Sequence, residues 1–167
     1  MASIDYSFKV LDQNECSIAF YEMMEDPKIG AVFHNRLPEE RTVFWWQDYL
    51  ESTGARVIRI SRAEETACYL WLERGIGHTA LSHFWIAKPY RGKVMEFGPQ
   101  GLWFAFNYLQ VSAMIGLISL ENAGAFRAAK RLGYKFVDIL PEAIYDARRG
   151  KYIACRCLVL KKEDIKL

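Results

Sequence analysis

A chain of 167 residues that is 51% hydrophobic and 14% aromatic is long enough to bury one sizeable core, and it is expected to form a single domain, residues 1–167. Its 22 basic and 20 acidic side chains leave a net charge of +2, which argues against an extended nucleic-acid footprint while allowing a local basic patch. No apolar run approaches the roughly 18–20 residues of a membrane span, and Met1-Ala2-Ser3-Ile4-Asp5 lacks a basic region followed by an apolar core, so a soluble cytoplasmic protein without a membrane partner is expected.

Residues 6–11 read as a first strand, with Tyr6, Phe8 and Val10 alternating against Ser7 and Lys9. Asp12 or Asn14 then caps a helix through Ile18, Phe20, Tyr21 and Met24 that Asp26-Pro27 breaks. A second helix is expected from near Pro38, where a missing N–H costs nothing, with Val43, Trp46, Tyr49 and Leu50 as its apolar stripe and Gly54 as its stop. Phe44, Trp45 and Trp46 cannot all face one core at helical spacing, so one of them is expected to line a cleft or a partner surface.

Residues 56–62, 66–72 and 78–86 read as three consecutive antiparallel strands, because the links between them are too short for a parallel crossover. A helix over 97–110 and a strand over 114–120 follow, the latter apolar enough to be buried on both faces. Then come a helix over 122–132, a strand over 134–140 and a last strand over 151–160. The order is β-α-α-β-β-β-α-β-α-β-β, an α/β fold with a mixed central sheet flanked by helices.

Cys16, Cys68, Cys155 and Cys157 form no CxxC pair, and His34, His78 and His83 share no ligand spacing, so no metal is expected. Buried, reduced thiols fit a cytosolic protein.

Chemistry concentrates in the second half. In residues 122–134, Asn122 can accept backbone N–H bonds as an N-cap, and Gly133 supplies the left-handed residue past the helix end before Tyr134. This segment, with Glu121 through Arg127 and then Leu132-Gly133-Tyr134, resembles the fourth-helix signature of the GNAT N-acetyltransferases. Residues 140–145, 150–152 and 158–163 resemble the C-terminal hairpin of the ribosomal-protein acetyltransferase branch of that family. Phe84-Trp85-Ile86-Ala87-Lys88-Pro89-Tyr90-Arg91-Gly92-Lys93 resembles its fourth strand and the entry to its cofactor loop. The likeness covers residues 55–165; the first 50 match in outline.

The resemblance implies a single-domain GNAT fold and acetyl-CoA as the acyl donor. The backbone of Phe84, Trp85 and Ile86 would pair with the pantetheine arm. Arg91, Gly92, Lys93, Val94 and Met95 would hold the pyrophosphate at a helix N-terminus, whose N–H groups and dipole favour anions. Asn122, Phe126 and Arg127 complete the implied cofactor set. The loop departs from the family pattern, since its two small positions fall on Val94 and Glu96, and a carboxylate at Glu96 is compatible with a diphosphate only if it points away. The family's frequent helix tyrosine falls on Ala129. His83 is the candidate base by residue type, because imidazole exchanges protons near neutral pH, and Ser119, at the end of the fifth strand, is a candidate to contact the cofactor or the thiolate.

The implied function is acetyl transfer to a primary amine, the acceptor partner being a protein or a small molecule. The alternative is a GNAT-fold protein that has lost catalysis and serves in binding or assembly, of the kind encoded by phage or mobile elements. The sequence leaves homodimer formation open.

Overall fold

The computed structural model describes residues 5–166. Residues 1–4, on which the reading of the N-terminus rests, lie outside them. The element order is the expected one: β1 (Ser7–Val10), α1 (Gln13–Met24), α2 (Val43–Thr53), β2 (Arg56–Arg62), β3 (Glu65–Arg74), β4 (Thr79–Ile86), α3 (Val94–Leu109), β5 (Ala113–Ser119), α4 (Ala123–Leu132), β6 (Lys135–Asp146) and β7 (Lys151–Lys161). The strands form one sheet in the order β1-β2-β3-β4-β5-β7-β6, antiparallel throughout except where β4 meets β5.

Local chemistry sets most element ends. Asp12 caps α1 in a reciprocal box: the Glu15 N–H donates to Asp12 Oδ1 at 2.9 Å and the Asp12 N–H donates to Glu15 Oε2 at 3.1 Å. The second helix does not begin at Pro38. Pro38–Glu40 is a single 3-10 turn, because Glu40 reaches back to accept the Leu37 N–H at 2.8 Å. The chain leaves helical geometry at Arg41 and restarts under Thr42, whose hydroxyl accepts the Trp45 N–H at 3.1 Å. α3 starts three residues before the expected position, so Pro99 stands in its second turn and deprives it of one i→i−4 bond without ending it.

α1 and α2 cover one face of the sheet and α3 and α4 the other. Trp46 is fully buried among Phe33, Phe20 and Trp71, and its indole N–H donates to the Cys16 carbonyl at 3.0 Å. Trp45 packs on Phe33 and Tyr49, while Phe44 is 74% exposed, which is how helical spacing divides three adjacent rings. On the other face a Cβ at Gly98 would stand 2.5 Å from Leu132 of α4, so glycine there lets α3 and α4 close up. β5 is buried on one face only, at Met114 and Gly116, contrary to the expectation from its apolar run. The other side of its second half borders the groove described next.

Candidate functional site

The parallel pair β4–β5 is short. Thr79 faces Ala113, Ala80 faces Met114 and Leu81 faces Ile115, and there the ladder stops. Beyond it β4 continues to Ile86 and β5 to Ser119 with no strand between them. Ser82, the first residue of β4 beyond its ladder with β5, closes the apex. Its hydroxyl donates to the Ile115 carbonyl at 3.1 Å and lies 2.8 Å from the Tyr134 hydroxyl. Since Ser82 has one proton, Tyr134 is the donor of the second bond. Burial pushes the Tyr134 phenol well above its ordinary value, so it remains protonated. The split opens into a groove of about 620 Å³, lined by Ser82 to Ile86, Gly116 to Ser119, the start of α3 and one face of α4.

At one side of the groove stands the N-terminus of α3. Gly92 has φ +90°, a left-handed conformation that turns the chain into the helix. The N–H groups of Lys93 and Glu96 are used by the Tyr90 and Lys93 carbonyls, whereas those of Val94 and Met95 have no hydrogen bond among the described residues. Glu96 points away from the groove, where its carboxylate accepts the Tyr6 hydroxyl at 3.2 Å. The departure of the loop from the family pattern thus brings no negative charge into the groove. Gly92 and Val94 line it, but the Lys93 side chain does not, since its ammonium lies over the Tyr90 ring at 5.7 Å.

Arg91 is already engaged. Its Nε donates to the Ile86 carbonyl at 3.2 Å and its Nη2 pairs with Asp26, which also accepts the Trp85 indole N–H at 2.8 Å. Burial opposes ionisation of Asp26, but the Lys28 N–H, the Trp85 indole and Arg91 outweigh it and hold the carboxyl below the usual range. Arg91 therefore ties the loop to the turn that follows α1 as well as bordering the groove, and the Ile86 carbonyl is taken. Trp85 is buried and stacked on Tyr69 at 5.7 Å.

α4 is capped as expected: Asn122 Oδ1 accepts the Ala125 N–H at 3.1 Å, and Gly133 takes the left-handed turn at φ +112°. The helix presents Asn122, Ala125, Arg127, Ala128, Ala129 and Arg131 to the groove. Phe126 lies outside it, on the face where its ring meets Phe136 edge-on at 6.5 Å and Arg156 at 4.7 Å. Arg127 lines the groove, whereas the Phe126 ring is taken up by these contacts outside it. Arg131 is a groove residue that the motif does not name, although its spacing of four from Arg127 carries the signal. The charged lining comprises Lys28, Arg91, Arg127 and Arg131 against Asp26 alone.

The sheet face beneath α1 and α2 brings His83 to the same groove. His83 stacks on Trp71, its cross-strand neighbour, at 5.3 Å, and its Nε2 lies 2.7 Å from Glu73 Oε1. The approach is too oblique for a straight hydrogen bond, and Nε2 is shielded from solvent with no other partner among the described residues. The same Glu73 oxygen accepts the Tyr49 hydroxyl, which in turn accepts the Trp71 indole N–H at 3.2 Å. Burial opposes ionisation of Glu73, but His83 and Tyr49 outweigh it and hold the carboxyl below its ordinary value. Ser119 closes the opposite wall. It accepts the Glu121 N–H at 3.3 Å and keeps its own hydroxyl proton to donate. Glu22 is not a solvated surface group, since it accepts the Tyr69 hydroxyl at 2.6 Å and the Thr66 hydroxyl at 3.0 Å and so ties α1 to β3.

No known protein-family profile matches the sequence, and no curated protein sequence matches it. Solved structures do match. RimJ of Mycobacterium smegmatis, in complex with CoA-disulfide, superposes with a TM-score of 0.73 at 12% identity over 97% of this chain and 84% of its own. The Salmonella typhimurium acetyl transferase that modifies the N-terminal serine of ribosomal protein L7/L12 gives 0.74 at 16% identity, over 93% and 94%. Spermidine N-acetyltransferase of Vibrio cholerae, in complex with CoA and spermine, gives 0.70 at 14% identity, over 95% and 96%. At these identities the likeness establishes a common fold.

Proposed function

We propose that this chain, which has the GNAT acyltransferase fold, transfers an acetyl group from acetyl-CoA to a primary amine. The observation that carries the reading is the split between β4 and β5. It places an unpaired strand edge beside a helix N-terminus with two open N–H groups, in a groove whose charged lining is mostly cationic. A strand edge suits an amide-bearing arm, and open N–H groups with cations suit phosphates, so the residues present fit coenzyme A. Val94 and Met95 would hold the pyrophosphate through their backbone, with Arg127 and Arg131 as additional cations. Phe84 and Trp85 would offer the strand edge. Acetyl-CoA supplies the activated thioester.

The remaining chemistry falls to side chains of the groove. His83, held between the Trp71 ring and the Glu73 carboxylate, takes the proton of the acceptor amine as its nitrogen bonds to the acyl carbon. Ser119, with its hydroxyl proton uncommitted, donates toward the departing thiolate. Ala129 leaves no phenol on α4 for that task, and the Tyr134 hydroxyl is committed to Ser82. The solved structures of similar fold include enzymes described as acting on a protein N-terminus and on spermidine, so a protein or small-molecule amine is the acceptor class. Self-association is the further part of this reading. β6 is the sheet's last strand, and Val137 of β6 and Tyr152 of β7 are 59% and 60% exposed, apolar surface that a second copy pairing along this edge would cover.

Acetyl-CoA titration tests the reading. A ligand at a hundredfold excess over its Kd adds about 2.7 kcal/mol to stability, which for a chain of this size raises Tm by roughly 5–10 °C. Thiol release on adding a panel of amines should then follow, and fall at least about tenfold in His83→Gln. Absence of both heat and Tm shift with millimolar acetyl-CoA would leave the non-catalytic alternative in its place.

A further inference from the structure

The hairpin between β6 and β7 reaches across to the segment joining α1 and α2, where the Ala147 N–H donates to the His34 carbonyl at 2.9 Å. Asp146 fixes the tip by accepting the N–H groups of Arg148 and Arg149 at 3.0 and 3.3 Å, and Gly150 completes the turn at φ +62°. The two arginines of the tip then part company. Arg149 forms a fork with Glu121 and also meets Asp146 at 3.5 Å. Arg148 is exposed and makes no ion pair among the described residues. Its guanidinium is laid against Gly30, where a Cβ would stand 2.8 Å from Arg148 Nη2 and 3.7 Å from Arg41 Nη2.

Two guanidinium groups therefore converge on one glycine, and neither makes an ion pair among the described residues, although the charge of Glu39 reaches Arg41. Arg41 donates through Nη2 to the Phe33 and Arg36 carbonyls at 3.0 and 2.7 Å and through Nε to Arg36 at 3.2 Å, which leaves Nη1 without a hydrogen bond among the described residues. Burial first, and the nearby charge of Arg148 second, lower its affinity for its own proton. Lys28, two residues before Gly30 and likewise without an ion pair among the described residues, carries the same sign of charge into the wall of the groove. Like charges held together this way repel, and an anion between them removes the repulsion. Arginine forks match the planar oxygens of carboxylates. The patch lies at the α1–α2 segment, whereas the open N–H groups proposed for the donor phosphates lie at the start of α3.

We infer that Arg148, Arg41 and Lys28 form a docking site for an acidic polypeptide segment of the acceptor, whose amine enters the groove beside them. The inference rests on the acyltransferase reading and narrows its acceptor to a protein chain with carboxylates close to the reactive amine. Any anion finds the same guanidinium pair attractive, so the phosphates of coenzyme A are the rival occupant, and the test separates the two.

The experiment is a fluorescence-anisotropy titration of C-terminally labelled peptides with free N-termini, in acidic, neutral and basic versions, against wild type, Arg148→Glu and Arg148→Lys. Acetyl-CoA binding is measured on the same three proteins by calorimetry. The acidic peptide is expected to bind wild type about tenfold more tightly than the neutral one, a preference that added salt weakens, Arg148→Glu abolishes and Arg148→Lys largely keeps. Acetyl-CoA binding should be the same in all three. Equal binding of acidic and neutral peptides overturns the inference, and so does a loss of acetyl-CoA binding in Arg148→Glu. Acidic-peptide binding that depends on Arg148 in a protein that binds no acetyl-CoA would uphold the docking site and sink the acyltransferase reading instead.

Discussion

The hydroxyls of Ser82 and Tyr134 lie 2.8 Å apart at the point where β4 and β5 separate, on the sheet face beneath α3 and α4. Ser82 is 7% and Tyr134 2% exposed, so neither can exchange this partner for water. Gly116 lies beside them, where even a Cβ would meet the Tyr134 ring in ordinary contact at 3.6 Å. The pair fastens the first residue after the α4 cap to the first residue of β4 beyond its ladder with β5, and thereby sets where the groove begins.

Tyr134→Phe removes this bond while leaving Ser82 its bond to the Ile115 carbonyl. A loss of about 1 kcal/mol is expected, seen as a Tm lower by roughly 2–4 °C in a thermal melt. An unchanged Tm would mean that the hydroxyl pair contributes nothing to holding the apex.

Gly133→Ala should be far more costly. The residue has φ +112°, and an added Cβ would stand 2.0 Å from the backbone oxygen of Asp164. Both the strained backbone and the forced movement of the C-terminal segment count against it, and a destabilisation of at least about 2 kcal/mol is expected in urea unfolding.

Glu64→Gly should stabilise the protein. Ala63 and Glu64 link β2 to β3 in a two-residue turn with φ +46° and +70°, a geometry that favours Asn-Gly and is strained for Ala-Glu. Relief of that strain, less the extra chain entropy of glycine, is expected to give about 0.5–1 kcal/mol. A lower urea midpoint in the variant would contradict the strain argument.

The Glu73 carboxyl titrates lower in the folded chain than in the unfolded one, because His83 and Tyr49 outweigh the opposing effect of burial. Its stabilisation is therefore complete above the ordinary carboxylate value, about 4.3, and is lost as pH falls through the lower folded value. Glu73→Gln should be less stable than wild type at neutral pH and converge with it in acid. Parallel stability curves between pH 7 and pH 3 would exclude this linkage.

Arg127 and Arg131 are exposed on the groove face of α4, one turn apart. The double variant Arg127→Ala/Arg131→Ala is expected to weaken acetyl-CoA binding by about tenfold and to leave Tm without ligand nearly unchanged, because neither side chain is paired to a carboxylate among the described residues. Calorimetry on the folded variant distinguishes this from a general loss of structure.

Much of the architecture is legible in the sequence, and for local reasons. Asp12, Asn122 and Gly133 act on backbone groups within four residues, so their caps follow directly from the order of residues. The short links between residues 56 and 86 dictate antiparallel neighbours for the same reason. Two local signals compete at Pro38 and Thr42, and the helix follows the hydroxyl cap at Thr42 rather than the proline that the sequence favours. Motif position assigns Phe126 to the cofactor, yet its ring packs outside the groove against Phe136 and Arg156, partners that no spacing along the chain announces.

By itself, then, the sequence determined the order of elements and the helix caps, both consequences of bonding between near neighbours, while the stretch of β4 beside the split was indicated only by the family resemblance. Only the tertiary structure decided what those side chains meet. It turned Glu96 to Tyr6 and Arg91 to Asp26, set Glu73 against His83, and laid Arg148 beside Arg41 from 107 positions away in the chain (148 less 41). Charges and buried hydrogen bonds depend on separation in space, and the sheet order β4-β5-β7-β6 brings together residues that no spacing along the chain relates.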